Sequence, residues 1–306
     1  MSSYPAEEPR SDAVQAHGTE SANTPRKPVT VPEIAAHKDS ANPLVMVTAY
    51  DASSARAAEA GGAEIILVGD SLGMVVLGYD STLEVTVDDM VRHTAAVTRS
   101  CSVPLVVADM PYMSYHTGVS DAVRNAGRLV VEGKAKAVKV EGGRKRVPVI
   151  EAMLDAEIPV MGHIGLTPQS VNALGGYKVQ GKALDAAQEL VDDAKALASA
   201  GVFALVLECV PAPLARLVTE AIDVPTIGIG AGPFCDGQVL VYHDLLGLFE
   251  GHRPKFVRRF ADLGSAAAEG IRAYASAVRS REFPSDTESY TLPEDVAGAL
   301  EARFKG

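Results

Sequence analysis

Cysteine is scarce in this chain of 306 residues: Cys101, Cys209 and Cys235 form an odd set with no CxxC spacing. A disulfide-stapled secreted scaffold needs more cysteines, in pairs, so these three are expected as reduced thiols in a cytoplasmic protein. Basic residues are also in deficit, 28 Lys and Arg against 39 Asp and Glu, for a net charge of −11. A nucleic-acid surface needs clustered Lys and Arg to meet phosphates, and the only basic knots, KPVT and GRKRVP, are too short to make one. No stretch approaches the roughly 20 unbroken apolar residues of a membrane span. A basic start followed by an apolar core, the pattern of a secretory signal, is missing too.

Hydrophobic residues at 47% and charged residues at 22% are ordinary for a soluble globular protein with a large core. One domain is favoured over two, because no Pro, Ser or Gly-rich linker interrupts the chain between about residue 44 and about residue 280. Residues 1–28 are rich in Ser, Pro, Ala and charge. They bury too little to offset the entropy of ordering and are expected as a disordered arm. The catalytic domain is then expected over 29–290, and 291–306 as a tail whose amphipathic stretch from Pro293 to Lys305 reads as a short appended helix or a frayed end.

Inside those limits, PLVMVTAYD, EIILVGD, PLVVAD, AVKVE, IPVMGHIG, VFALVLE, PTIGIG and QVLVYHD read in turn as eight apolar strands. Helical stretches alternate with them. The clearest is ALDAAQELVDDAKALASAG, and the last long one is LGSAAAEGIRAYASAVRS. Asp88 and Asp89 suit the first turn of another, where the helix dipole favours negative charge. Eight alternations of parallel type predict an α/β fold, the (β/α)8 TIM barrel. An open doubly wound sheet comes second, since the glycine-rich turn GxGxxG expected after its first strand is absent. The segment LTPQSVNALGGYKVQGK, with its Gly, Asn and Pro, suits a lid or pocket wall.

Asp70, Asp109 and Glu141 each close one of the apolar runs, and Glu208 closes the sixth. A single such residue reads as an ordinary strand-end polar group or a helix cap. Three in succession point to one shared site, because the C-terminal ends of barrel strands converge on one face. Hard oxygen ligands of this kind suit Mg²⁺ better than a thiolate-loving metal. Lys139 lies two residues before Glu141, so their side chains share a face.

The motifs VTAYD, VGDSLGM, VVADMP, KVEGG, GHIGLTPQS, LECVP and GIGAG, in this order, resemble those of the ketopantoate hydroxymethyltransferase family, over roughly residues 28 to 290. The resemblance implies transfer of the one-carbon unit of 5,10-methylenetetrahydrofolate to 3-methyl-2-oxobutanoate, giving 2-dehydropantoate and tetrahydrofolate on the way to pantothenate and coenzyme A. It also implies one Mg²⁺ per subunit and a homo-oligomer such as a decamer. The family's motifs place Asp70 and Asp109 on the metal and against the substrate, with Glu141 completing the site directly or through water. Ser71 would hydrogen-bond the keto acid carboxylate, unless it serves only as a cap or turn residue. Lys139 would meet the same carboxylate, the alternative being an ion pair with Glu141 or Asp109 alone.

Glu208 matches the family's general base, the alternative being a further metal ligand or a group that supports the ligands from behind. His163 is read as a hydrogen-bonding residue of the same pocket rather than a proton carrier, and His243 has the weaker claim. GIGAG is read as close backbone approach to the folate or the pocket wall rather than as a phosphate cradle. A phosphoenolpyruvate mutase or isocitrate lyase relative is the rival enzyme, but the loop KKCGH usual in those families is absent. A non-catalytic barrel is the remaining alternative, disfavoured because all four carboxylates are present.

Overall fold

The computed structural model describes residues 26–249, 251 and 253–304. Residues 1–25 of the expected arm, and Lys305 and Gly306 at the end of the tail, therefore lie outside the described residues.

Eight parallel strands follow one another in chain order: β1 (Leu44–Thr48), β2 (Ile65–Val68), β3 (Leu105–Asp109), β4 (Ala137–Glu141), β5 (Val160–Gly165), β6 (Ala204–Glu208), β7 (Thr226–Ile229) and β8 (Gly237–Leu240). β8 pairs in parallel with β1 and closes the barrel, as the alternating pattern predicts. One connection differs. β7 and β8 are joined by residues 230–236, GAGPFCD, with no helix between them, because so short a run with two glycines and a proline has no room for one.

The period of two along each strand decides which side chains reach the site. Leu105 and Val107 of β3 belong to the cluster that fills the barrel, whereas Val106 and Ala108 pack under the helices. The same alternation turns Asp109 inward. By the same rule Ala137 on β4 sets Lys139 and Glu141, Met161 on β5 sets His163, and Ala204 and Val206 on β6 set Glu208. Ile34, from the short helix Val31–Ala35, joins that inner cluster beside Leu44 and Leu105, where the strands begin. Its helix is started by a Thr30 and Glu33 capping box and held by the Val29 N–H bond to the Val103 carbonyl.

Six helices of the outer layer, Ala52–Ala60, Val87–Thr98, Val119–Val131, Val147–Asp155, Leu184–Ala200 and Ala212–Glu220, follow β1 to β6. Each buries one stripe; in Val119–Val131 the stripe is Ala122, Ala126 and Leu129. Val87–Thr98 carries Asp88 and Asp89 in its first turn, as expected, and Asp89 also completes a capping box with Thr86. The long helix Leu263–Ser280 forms where the sequence predicts it, but none of its residues is buried. Ile271, Tyr274 and Val278 stand 68%, 58% and 42% exposed along it. The tail forms the appended helix Glu294–Phe304.

Candidate active site

Asp109, Glu141 and Glu208 are the last residues of β3, β4 and β6, and Asp70 lies two residues past the end of β2. The chain turns there at Gly69, where a Cβ would stand 2.7 Å from Ser71 Oγ and 3.5 Å from Asp109 Oδ2. Without that side chain the Asp70 N–H comes close enough to donate to Asp109 Oδ2, at 3.0 Å. Asp70, Asp109, Lys139, Glu141 and His163 are all only 3–4% exposed. Charges so buried are tolerable only when paired.

The pairs are short. Lys139 Nζ lies 2.8 Å from Asp109 Oδ1 and 3.9 Å from Glu141 Oε1. His163 bridges two strand ends, Nδ1 at 3.5 Å from Glu141 Oε1 and Nε2 at 3.2 Å from Glu208 Oε2. Its Nδ1 is also 3.1 Å from Lys139 Nζ. Burial and the Lys139 charge act against a charged imidazole, yet the two carboxylates outweigh them and push the His163 pKa up to about 9. Burial, then the charges of Asp109 and Glu141, lift the Asp70 carboxyl well above its ordinary value. Asp109 is raised as well, mainly by burial, with Lys139 opposing. In Glu141 burial is outweighed by His163, Lys139 and the Gln169 N–H, so that its carboxyl falls below the usual range. Around the mouth four carboxyl groups thus face Lys139 and His163, and, after burial, the mutual repulsion of the acids shows in the raised Asp70.

These groups floor a cavity of about 510 Å³, which Ser71, Met74, Tyr177, Val179 and Phe256 also line. Tyr177, Lys178 and Val179 come from the loop expected as a lid or wall and form part of the wall. Ser71 makes no capping bond to the turn that follows it; its Oγ pairs with the Tyr50 hydroxyl at 2.8 Å. GIGAG supplies Ile229 to the wall. At Gly230, with φ +64°, a Cβ would stand 2.7 Å from the Phe256 ring, so close backbone approach is what these glycines permit. His243 packs against Tyr50 with the rings tilted by 45° and their centres 5.4 Å apart.

Among the described residues, no three His, Cys, Asp or Glu side chains form a ready metal cage. Glu141 is drawn toward Lys139 and His163 instead. One open oxygen remains: Asp70 Oδ1 accepts no hydrogen bond among the described residues, while Asp109 Oδ1 faces the Lys139 ammonium at 2.8 Å and its Oδ2 takes the Asp70 N–H. An oxygen-only, partly filled site suits Mg²⁺, which keeps waters and takes one or two carboxylates.

Three residues of the site escape the sequence reading. Gln169 donates to Asp70 Oδ2 at 2.8 Å, the Tyr115 hydroxyl donates to Gln169 Oε1 at 2.6 Å, and Tyr50 holds Ser71. Gln169 lies within GHIGLTPQS and Tyr50 within VTAYD, so motif membership is the signal that marks two of them.

A closed parallel barrel whose C-terminal mouth gathers four acids, a lysine and a histidine around one cavity has the layout of a barrel enzyme. The sequence profile of the family described as Ketopantoate hydroxymethyltransferase matches residues 28–286, and the chain belongs to that family. The 3-methyl-2-oxobutanoate hydroxymethyltransferase of Carboxydothermus hydrogenoformans is 57% identical over 268 residues, 88% of this chain and 97% of that protein. The enzyme of the same name from Moorella thermoacetica is 57% identical over 265 residues, 87% and 98% of the two chains. Among solved structures, a phosphonopyruvate hydrolase in complex with oxalate and Mg²⁺ superposes with a TM-score of 0.57 at 15% identity, covering 91% of this chain and 100% of the other. A 2,3-dimethylmalate lyase of the PEP mutase/isocitrate lyase superfamily gives 0.56 at 18% identity, over 91% and 96%. These two likenesses are of fold.

Proposed function

We propose that this enzyme transfers the one-carbon unit of 5,10-methylenetetrahydrofolate to 3-methyl-2-oxobutanoate, giving 2-dehydropantoate and tetrahydrofolate, with Asp70 and Asp109 holding one Mg²⁺ per subunit and Glu141 behind them. The observation that carries the reading is the opposed arrangement of the mouth: Asp70 and the Asp109–Lys139 pair on one side, with Asp70 Oδ1 free of hydrogen bonds among the described residues, and on the other Glu208 Oε2 standing 3.2 Å from His163 Nε2. When bound, the ion supplies a Lewis acid for the keto and carboxylate oxygens of the substrate. Glu208 takes the proton from carbon 3, and the electron pair of that C–H bond moves to the keto oxygen. His163 holds the Glu208 carboxylate in place, Lys139 offsets the charge gathering at the substrate end, and Ser71, backed by Tyr50, donates to the substrate carboxylate. The enolate electron pair then bonds carbon 3 to the one-carbon unit, whose two C–N bonds to the folate break; water supplies the hydroxyl of the product, and its other proton and the one held by Glu208 go to the two folate nitrogens.

The same reading covers the rest of the chain. Residues 29–290 are the catalytic domain, 1–28 an arm and 291–306 a tail. The protein works in the cytoplasm, consistent with three free thiols at Cys101, Cys209 and Cys235, and no described helix is long and apolar enough to cross a membrane. It assembles as a homo-oligomer, a decamer by family resemblance, for which the exposed apolar stripe on Leu263–Ser280 is the physical support.

Purified protein given the keto acid, the folate donor and Mg²⁺ should form 2-dehydropantoate, and a chelator should stop the reaction until Mg²⁺ is returned. Absence of product with the metal present contradicts the proposal. Cleavage of phosphonopyruvate or 2,3-dimethylmalate instead would move the chain to the rival chemistry.

A further inference from the structure

Gln169 lies just past β5 in the short 3-10 turn Pro168–Ser170 and is 5% exposed. Both amide hydrogens of its side chain and the amide oxygen are engaged by residues around the mouth. Nε2 donates to Asp70 Oδ2 at 2.8 Å and to the Met110 carbonyl at 2.9 Å, while Oε1 accepts from the Tyr115 hydroxyl at 2.6 Å. Its backbone N–H donates to Glu141 Oε2 at 3.1 Å. One residue therefore ties together the chain after β2, the chain after β3 and the end of β4. The amide has one workable orientation, since a flipped carbonyl would face two acceptors, the Asp70 carboxylate and the Met110 oxygen. Tyr115, 1% exposed, is fixed in turn by the Glu141 N–H, which donates to its hydroxyl oxygen at 3.3 Å.

We propose that Gln169 is a positioning residue of the cation site: by occupying Asp70 Oδ2 it leaves Oδ1 as the oxygen that meets a divalent ion, with Tyr115 locking the amide in place. The inference rests on the metal reading proposed above. A neutral amide is the donor this task requires. Lys or Arg at the same place would cancel the carboxylate charge the ion needs, whereas an amide orients the carboxylate and leaves its charge intact. The chain from the Glu141 N–H through Tyr115 and Gln169 to Asp70 also runs donor to acceptor throughout, an arrangement in which each bond strengthens the next.

Mn²⁺ titration followed by electron paramagnetic resonance, without either substrate, tests this on the full-length protein and on Gln169→Met, Gln169→Leu and Tyr115→Phe. The first two keep bulk and lose the donors, and Mn²⁺ should bind roughly 10–100-fold more weakly at unchanged stoichiometry. Tyr115→Phe should weaken binding by less, and the Tyr115→Phe/Gln169→Met double variant should be no weaker than Gln169→Met alone, because the tyrosine acts through the amide. A lowered thermal midpoint with wild-type Mn²⁺ affinity in the Gln169 variants would mean a packing role only and overturn the inference. If neither Gln169 variant folds, folded Tyr115→Phe with wild-type affinity overturns it equally. Wild-type protein that binds no Mn²⁺ overturns the metal reading and this inference with it; a binding wild type with unaffected variants overturns the inference alone.

Discussion

Asp70 and Asp109 meet because a glycine brings the Asp70 backbone against the Asp109 carboxylate, and Lys139 beside them offsets charge that would otherwise be repulsive. If their oxygens hold the ion, Asp70→Ala and Asp109→Ala should each bind Mg²⁺ or Mn²⁺ far more weakly in a titration and remain folded by circular dichroism, since residues at the C-terminal mouth of such a barrel serve function more than stability. Unchanged affinity in either variant would remove that residue from the site. At this scale the sequence was legible wherever a functional group ended an apolar run: Asp109, Glu141 and Glu208 could be found by position, and Lys139 by the period of two. Gln169 could not. Its importance comes from contacts with Asp70, Met110 and Tyr115, which are 99, 59 and 54 residues away and carry no local pattern.

Elements were legible to the extent that their order is written in hydrophobic period, and boundaries less so because caps and turns decide them. The second strand shows the limit. The run EIILVGD reads as strand to its acid, but β2 ends at Val68, where the chain must bend to set Asp70 against β3. A helix-to-strand clamp elsewhere is invisible to periodicity. Glu59, in the last turn of Ala52–Ala60, accepts from the Ser102 N–H at 2.8 Å, the Val103 N–H at 2.7 Å and the Ser102 hydroxyl at 3.1 Å, pinning the approach to β3. Burial pushes its carboxyl up, but these donors together pull it below its ordinary value. With the folded pKa depressed, its stabilisation is present above the unfolded value of roughly 4.3 and is lost as pH falls through the folded one. Glu59→Gln should cost about 1 kcal/mol at pH 7. Thermal midpoints of the two proteins should converge on acidification, and a gap that stays constant with pH would show that the charge of Glu59 contributes nothing.

At the scale of the whole molecule, the apolar side of Leu263–Ser280 lies exposed. Val45 on β1 is 48% exposed, so part of the barrel's outer face is bare as well. Composition and motif order made the single barrel legible, but a helix that leaves its own barrel looks, in sequence, like one that packs on it. Light scattering should find the protein as an assembly of several copies, and Ile271→Asp with Tyr274→Asp should lower its mass. A monomeric wild type would contradict the homo-oligomer. Removing residues 1–25 should change turnover by less than about tenfold, roughly 1.4 kcal/mol of barrier. The cut is placed before Arg26, whose guanidinium donates to the Gly62 and Ala63 carbonyls, both at 3.1 Å.

Proton removal by Glu208 is read most directly in D₂O, with 3-methyl-2-oxobutanoate and Mg²⁺ and without the folate donor, by following deuterium at carbon 3 in the NMR spectrum. Wild-type enzyme should exchange that proton. Glu208→Gln should bind metal and keto acid about as well, because the amide keeps the size, yet exchange should slow by roughly 10²–10⁴-fold. Tight binding with unslowed exchange would contradict the assignment of Glu208 as the base, and loss of metal binding in the same variant would make it a ligand instead.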